Sequence, residues 1–161
     1  MTESAPQDPL DHPLARLVAG EAPGAVLAIA PPDHPGLVAA QAAAPGAEWT
    51  LLPPGSQVAD LPQTRFDLAL LLHAVEPLES TAGEQLIGRV RDLLAPRLIL
   101  AVAAGTRSAN ALRGLGLVHA GDSDDGAVAL WTWDIATYKL TPDWLNSRFW
   151  ANPELFDVYW W

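Results

Sequence analysis

The stretch RFDLALLLHAVE, residues 65–76, carries the clearest structural information in this 161-residue chain. Its centre, Leu68–Leu72, is an unbroken apolar run of strand length. Continuous rather than alternating hydrophobicity is typical of a strand that is buried on both faces, as in a parallel sheet covered by helices. The run therefore predicts a central parallel strand over Phe66–Leu72 and a layered α/β domain.

The flanking sequence alternates between short apolar runs and helical patterns. The other predicted parallel strands are Ala25–Ala30, Glu48–Leu52 and Leu98–Ala103. The predicted helices are Leu10–Gly20, Pro35–Ala44, Glu79–Leu94 and Thr106–Gly114, the last with Thr106 as its N-cap. Leu117–Ala120 and Val128–Trp133 flank a turn rich in Asp and Gly and read as an antiparallel hairpin. Together they predict an α/β fold of Rossmann-like type: a doubly wound, mostly parallel sheet with helices on both faces and a C-terminal antiparallel hairpin.

Composition narrows the class of protein. The formal net charge is −10, so phosphate backbones and anionic lipids are poor partners. There is no cysteine, so a disulfide framework is excluded. No apolar stretch is long enough to span a membrane, and the N-terminus does not resemble a signal peptide. We therefore expect a bacterial, cytoplasmic protein that binds neither nucleic acid nor membranes. We expect three segments: a disordered tail at 1–9, an α/β domain at 10–134 and an aromatic-rich helical extension at 135–161.

Three stretches give the chain a family resemblance. These are residues 65–76, Leu93–Pro96, which leads into the strand at 98–103, and Leu112–Leu117, which leads into the hairpin. Their order and spacing resemble the class I S-adenosylmethionine-dependent methyltransferases, in which residues 65–76 would supply the fourth strand and the loop after it. The resemblance covers about residues 24–134 and implies a cofactor cleft beyond the carboxyl ends of the strands.

The cofactor loop departs from that family pattern. The family has a loop of roughly Gly-x-Gly-x-Gly after its first strand, whereas this chain has Pro31, Pro32, Asp33, His34 and Pro35 before a single glycine, Gly36. Two prolines remove two N–H donors, and Asp33 adds negative charge where the cofactor's carboxylate would lie. The acidic residue expected after the second strand is also missing, since that strand runs into prolines. The pattern thus implies a degenerate site, with no cofactor expected and S-adenosylmethionine as the alternative.

The candidate ligand-binding residues lie in the loops that should meet at the carboxyl edge of the sheet. They are Asp33, His34, Gly36, Gln57, Asp60, His73 and Glu76. Histidines and carboxylates in one cleft can carry acid–base chemistry or hold a metal. Structural or solvent-exposed roles are the favoured explanation; Asp33, for example, is placed to cap the helix that follows. Because no tight ligand spacing or nucleophile motif is visible, we assign no catalytic and no metal-binding residue.

The C-terminal segment is unusually aromatic, with seven aromatic residues between 141 and 161. Two short helices, Pro142–Trp150 and Pro153–Trp161, are predicted from their cap, proline and acid patterns. Aromatic side chains bury large areas and dominate interface hot spots. They either fold back on their own domain or form a homodimer or partner interface. The candidate partner-binding residues are Trp144, Trp150, Phe156, Tyr159, Trp160 and Trp161.

Three functions remain open from the sequence. The first is a non-catalytic methyltransferase-like protein that acts through protein contacts of its aromatic tail. The second is a methyltransferase that uses S-adenosylmethionine through an atypical loop. The third is a protein that binds another small ligand in the vestigial cleft.

Overall fold

The computed structural model describes residues 12–138 together with Arg148 and Glu154. Six strands form one sheet: β1 (Ala25–Ile29), β2 (Glu48–Leu52), β3 (Leu68–Leu72), β4 (Arg97–Ala103), β5 (Val118–Asp122) and β6 (Val128–Asp134). Five helices accompany them: α1 (Pro13–Glu21), α2 (Pro35–Ala43), α3 (Ser80–Arg89), α4 (Ala109–Gly114) and α5 (Ile135–Tyr138). A 3-10 turn spans Val58–Asp60, and a π-helical turn, Val90–Leu94, extends α3.

The sheet has the order β2-β1-β3-β4-β6-β5. The first four strands pair in parallel, and β6 then runs antiparallel to both β4 and β5. This is the predicted α/β fold with a C-terminal antiparallel hairpin. Because the first four strands are parallel, their carboxyl ends lie at one edge of the sheet. The chain winds outward from β1 in both directions, and ligands bind beside such a point in these folds.

The core consists of two apolar layers, one on each face of the sheet. Side chains of β3 alternate between them: Leu70 packs towards α1 and α2, whereas Leu71 packs towards α3 and the π-helical turn. Every residue of β3 is fully buried. This explains the unbroken apolar run, since a strand covered on both faces has no solvent side on which to place polar residues.

The helix termini differ from their predicted positions. The first helix starts at Pro13 rather than Leu10, which lies outside the described residues, because the His12 side chain caps it. The helix predicted to end at Leu94 changes to π-helical hydrogen bonding at Val90, with the Ala95 N–H donating to the Val90 carbonyl. Thr106 does not cap α4: its hydroxyl donates to the Ala103 carbonyl, and α4 begins only at Ala109. Side-chain caps depend on local geometry that apolar spacing does not report.

Candidate functional site

Two imidazoles cap neighbouring helices at the carboxyl edge of the sheet. Nδ1 of His12 accepts a hydrogen bond from the Leu14 N–H at 3.2 Å, and Nδ1 of His34 accepts one from the Gly36 N–H at 3.0 Å. Because a backbone amide can only donate, each Nδ1 lacks a proton, and each neutral ring carries its proton on Nε2. Among the described residues, neither Nε2 atom has a hydrogen-bond partner. The two caps therefore leave two N–H donors available for a ligand.

A third imidazole, His73, stands at the end of β3 beside the two caps. Its backbone has a φ of 52°, in the left-handed region that few non-glycine residues adopt. Nδ1 of His73 lies 2.8 Å from Glu76 Oε1, which also accepts the Ala103 N–H at 2.8 Å. The centroids of the His34 and His73 rings are 5.4 Å apart. His73 is thus held by Glu76 in an uncommon backbone conformation that places its ring against His34.

All three imidazoles line one pocket, which we call the three-histidine pocket. Its volume is about 700 Å³. The remaining lining is mostly apolar and comes from α1, α2, β4 and β6, with Leu14, Val38, Val128 and Leu130 as its larger side chains. Ser123 and Asp124, on the turn between β5 and β6, complete the lining. The pocket therefore combines an apolar wall with a polar end, as small-molecule sites commonly do.

The environment of the caps favours their neutral forms. Burial lowers the pKa of His12 below its ordinary value of 6.5. Burial also lowers the pKa of His34; the neighbouring His73 and His12 lower it further, and Asp33 opposes them. Because a protonated Nδ1 cannot accept an amide hydrogen, protonation would also break the two caps.

The two caps predict a pH dependence of stability. As the pH falls below about 6.5, the unfolded chain takes up protons that the folded chain resists, so the free energy of unfolding falls with pH. Serine is a good N-cap that does not titrate in this range. We therefore expect the double variant His12→Ser/His34→Ser to stay within about 1 kcal/mol of the wild type at pH 7.5 and to lose less stability on acidification to pH 5.5.

Urea unfolding at the two pH values measures this difference. His119→Ser is the matched control because it removes an imidazole that caps no helix and lies on the exposed strand β5. It should keep the acid sensitivity of the wild type. Equal acid sensitivity in the wild type and the double variant would contradict the assignment of the effect to the caps.

The predicted site residues separate into two groups. His34 and His73 come together in the three-histidine pocket, where the Gly36 N–H donates to the His34 ring and Glu76 is bonded to His73. Asp33 is exposed and does not cap α2, so that expectation was wrong; the imidazole of the next residue occupies the cap position instead.

Gln57 and Asp60 form the second group. They lie on the 3-10 turn, where the Gln57 N–H donates to the Asp60 carboxylate at 2.8 Å, and neither lines the pocket. The six candidate partner-binding aromatics and the predicted tail at 1–9 lie outside the described residues, as do the two predicted C-terminal helices apart from Arg148 and Glu154.

His12 is a site residue that the sequence analysis missed. A signal for it exists, because Asp-His-Pro occurs at residues 11–13 and again at 33–35. In both copies the histidine becomes an N-cap and the proline takes the first helical position, where its missing N–H costs nothing. The repeat thus marks two helix starts that the fold brings side by side.

A loop closes over the carboxyl end of β1. The Gly55 N–H, after β2, donates at 3.2 Å to the carbonyl of Ala74, in the loop after β3. Because β1 lies between β2 and β3, this bond passes over the end of β1. Gly55 has a φ of 83°, and Pro77 would lie 3.5 Å from a Cβ at this position. We call residues 53–56 and their contact with Ala74 the β1 bridge.

Neither a membrane-spanning helix nor a metal-binding cluster is found within residues 12–138. No helix there is long and apolar enough to cross a membrane. In the same part of the chain, no group of three or more histidine or acidic side chains is arranged to hold a metal ion.

Comparisons with known proteins agree with this architecture. The model of a family of unknown function (DUF6231) matches residues 8–161. No curated protein matches the chain in sequence. Among solved structures, the chain is similar to the mitomycin 7-O-methyltransferase MmcR, at 15% identity and a TM-score of 0.54 over 74% of this chain and 52% of that one. The chain thus spans about half the length of that enzyme.

Two further structures show the same fold. One is the 1,6-didemethyltoxoflavin-N1-methyltransferase of Burkholderia thailandensis, solved with bound 1,6-didemethyltoxoflavin and S-adenosylhomocysteine; it is 13% identical, with a TM-score of 0.52 over 78% of this chain and 77% of that one. The other is an rRNA methylase from Escherichia coli, 16% identical, with a TM-score of 0.50 over 76% and 62% of the two chains. The chain therefore has the predicted fold of the class I S-adenosylmethionine-dependent methyltransferases.

The residues at the end of β1 do not fit S-adenosylmethionine. Donors at the start of α2 that would receive the cofactor's carboxylate are used internally: the Gly36 N–H bonds the His34 ring, and the N–H groups of Leu37 and Val38 bond the His34 carbonyl. The β1 bridge joins the loops on either side of that strand end. The start of α2 is thus short of free donors for the carboxylate of the cofactor.

Proposed function

We propose that this chain, which belongs to a family of unknown function (DUF6231), is a non-catalytic methyltransferase-like protein that acts through protein contacts. The observation that supports the non-catalytic part of this proposal is the β1 bridge. A hydrogen bond that joins the loops on either side of β1 would narrow the space for a nucleoside cofactor, and the missing glycines support the same reading.

The proposed contact element is the aromatic segment at the C-terminus. Its candidate residues are Trp144, Trp150, Phe156, Tyr159, Trp160 and Trp161. The family match runs through residue 161, so this segment belongs to the sequence that defines the family. Tryptophan and tyrosine supply most hot spots of protein interfaces, which supports a role in association. The division into a tail at 1–9, a domain at 10–134 and an extension at 135–161 is part of the same proposal.

Loss of the cofactor is tested by isothermal titration with S-adenosylmethionine and S-adenosylhomocysteine. We expect no heat of binding from either compound up to millimolar concentration, because the carboxylate would lack its donors and the nucleoside its space. Micromolar binding would contradict the proposal. It would favour the alternative, a methyltransferase that uses S-adenosylmethionine through an atypical loop.

Association through the aromatic segment is tested by light scattering. We expect the wild type to have the mass of a dimer and Trp160→Ala/Trp161→Ala to have the mass of a monomer, because the substitutions remove two large apolar side chains. Trp49→Ala is a control that removes a partly buried tryptophan from β2, within the domain. Monomers in all three proteins would contradict the homodimer form of the proposal.

A second function is favoured by the three-histidine pocket, whose described lining includes neither Gly55 nor Ala74 of the β1 bridge. We propose that it holds a small molecule other than S-adenosylmethionine. Support comes from its volume of about 700 Å³, within the range of ligand sites, and from the pairing of an apolar wall with polar groups. A thermal-shift screen of chemically diverse small molecules tests this second function, and a screen without a single stabilising compound would count against it.

A further inference from the structure

The polar end of the three-histidine pocket offers hydrogen-bond donors. His12 and His34 each accept an amide hydrogen at Nδ1, so their Nε2–H groups are donors without a partner among the described residues. Each ring also caps the N-terminus of a nine-residue helix, where the macrodipole favours negative charge. This end of the pocket is therefore complementary to an acceptor that carries partial or full negative charge.

His73 adds a third imidazole to the same end. Its Nδ1 lies 2.8 Å from Glu76 Oε1, so its other ring nitrogen, Nε2, is the one left without a hydrogen bond among the described residues. Glu76 Oε2 is buried and has no hydrogen-bond partner among the described residues. This end of the pocket therefore presents three imidazoles, one of them hydrogen-bonded to a carboxylate.

The charges around the pocket limit how much negative charge a ligand can carry. No lysine or arginine is among the lining residues in the part of the chain that the structure describes. Doubly charged phosphate groups are typically bound by such cations, so the pocket lacks the means to hold one. The acidic lining residue Asp124 is exposed on the turn between β5 and β6, where water solvates its charge. A single delocalised negative charge fits these groups better than a double one.

The apolar wall defines the rest of the ligand. Leu14, Val38, Val128 and Leu130 face the pocket, and Val38 is 54% exposed despite its apolar side chain. An apolar body placed against these residues would remove their surface from water, at a gain of about 25 cal/mol per Å².

We propose that the three-histidine pocket binds a small monocarboxylic acid with an apolar body, its carboxylate at His12 and His34 and its body against the apolar wall. This inference rests on the second function proposed above, that the pocket holds a small molecule. It adds the chemical class of that molecule, which neither the fold nor the family match supplies.

The test compares three probes that share one apolar chain: octanoate, octanamide and octyl phosphate. Each is titrated into the full-length protein and followed by NMR through the histidine ring and the leucine and valine methyl signals. We expect octanoate to shift the signals of His12, His34 and Leu14. We also expect octanoate to bind at least about tenfold more tightly than octanamide, because hydrogen bonds to a charged group are the stronger ones.

Variants separate recognition of the carboxylate from simple apolar binding. His12→Ser/His34→Ser keeps both caps but removes both Nε2–H donors, and should weaken octanoate binding by about tenfold or more. His119→Ser should leave the affinity unchanged, since His119 does not line the pocket. The shift map of the wild type does not depend on how well either variant folds.

Three results would overturn the inference. Equal binding of octanoate and octanamide at the pocket would keep the second proposed function but remove the carboxylate class. Tighter binding of octyl phosphate would assign the pocket to dianions. Absence of octanoate shifts at millimolar concentration would show that the three-histidine pocket is not a carboxylate site.

Discussion

Replacing Leu71 with alanine is expected to lower the free energy of unfolding by about 3–5 kcal/mol. Leu71 is fully buried in β3, between Ile29 of β1 and Leu100 of β4, and packs into the layer under α3. Truncation would leave a cavity at the middle of the sheet, where neighbours on both sides are fixed by strand pairing and relax little. Urea unfolding at neutral pH measures the loss.

Leu51→Ala is the matched control for this prediction. Leu51 also belongs to a parallel strand, β2, but that strand is at the sheet edge and the residue is 49% exposed. We expect its truncation to cost no more than about 1 kcal/mol, because it loses less burial and leaves no closed cavity. Similar losses for the two variants would mean that β3 is not the centre of the core.

Replacing Glu76 with alanine is expected to lower the free energy of unfolding by about 2–3 kcal/mol. One carboxylate oxygen accepts hydrogen bonds from both the Ala103 N–H and the His73 ring. Without it, the amide at the end of β4 loses its partner in a partly buried position, and the His73 ring loses its hydrogen bond, while the His73 N–H keeps its bond to the Ala101 carbonyl. The NMR signals of the His73 ring should also move, because its Nδ1 loses an acceptor.

Glu76→Gln distinguishes geometry from charge at the same position. Glutamine keeps a carbonyl oxygen for the Ala103 N–H, so we expect a loss of no more than about 1 kcal/mol in urea unfolding. A loss as large as that of Glu76→Ala would show that the negative charge of Glu76, rather than its oxygen, stabilises the two loops.

The strands of this fold were largely predictable from the sequence. A strand that is buried on both faces is a short continuous apolar run, which can be recognised without knowing its neighbours in the fold. Of the buried strands, Ala25–Ala30 was predicted one residue too long and Leu98–Ala103 one residue too short; the partly exposed edge strand Glu48–Leu52 was predicted with the bounds that the structure has. Helix ends were less predictable. The caps at His12 and His34 depend on an imidazole reaching its own helix, and histidine is not among the usual N-cap residues.

The candidate site was predictable only where topology determined it. His34 and His73 follow neighbouring parallel strands, so the shared carboxyl edge brings their rings together. Gln57 and Asp60 were expected at the same place because they follow β2. Their chain instead turns away in a 3-10 turn in which they bond each other, a choice that composition and spacing do not reveal. His12 required knowledge of how α1 packs beside α2.

The β1 bridge limits how a nucleoside-binding site could be engineered into this protein. Reinstating glycines at Pro31 and Pro32 would return backbone donors but not space, because the Gly55 to Ala74 hydrogen bond would still span the strand end. A designer would first have to lengthen or lift residues 53–56, and only then rebuild the glycine loop. The reverse order would yield a more flexible protein and no new site, so the loop after β2 would have to be redesigned before the loop after β1.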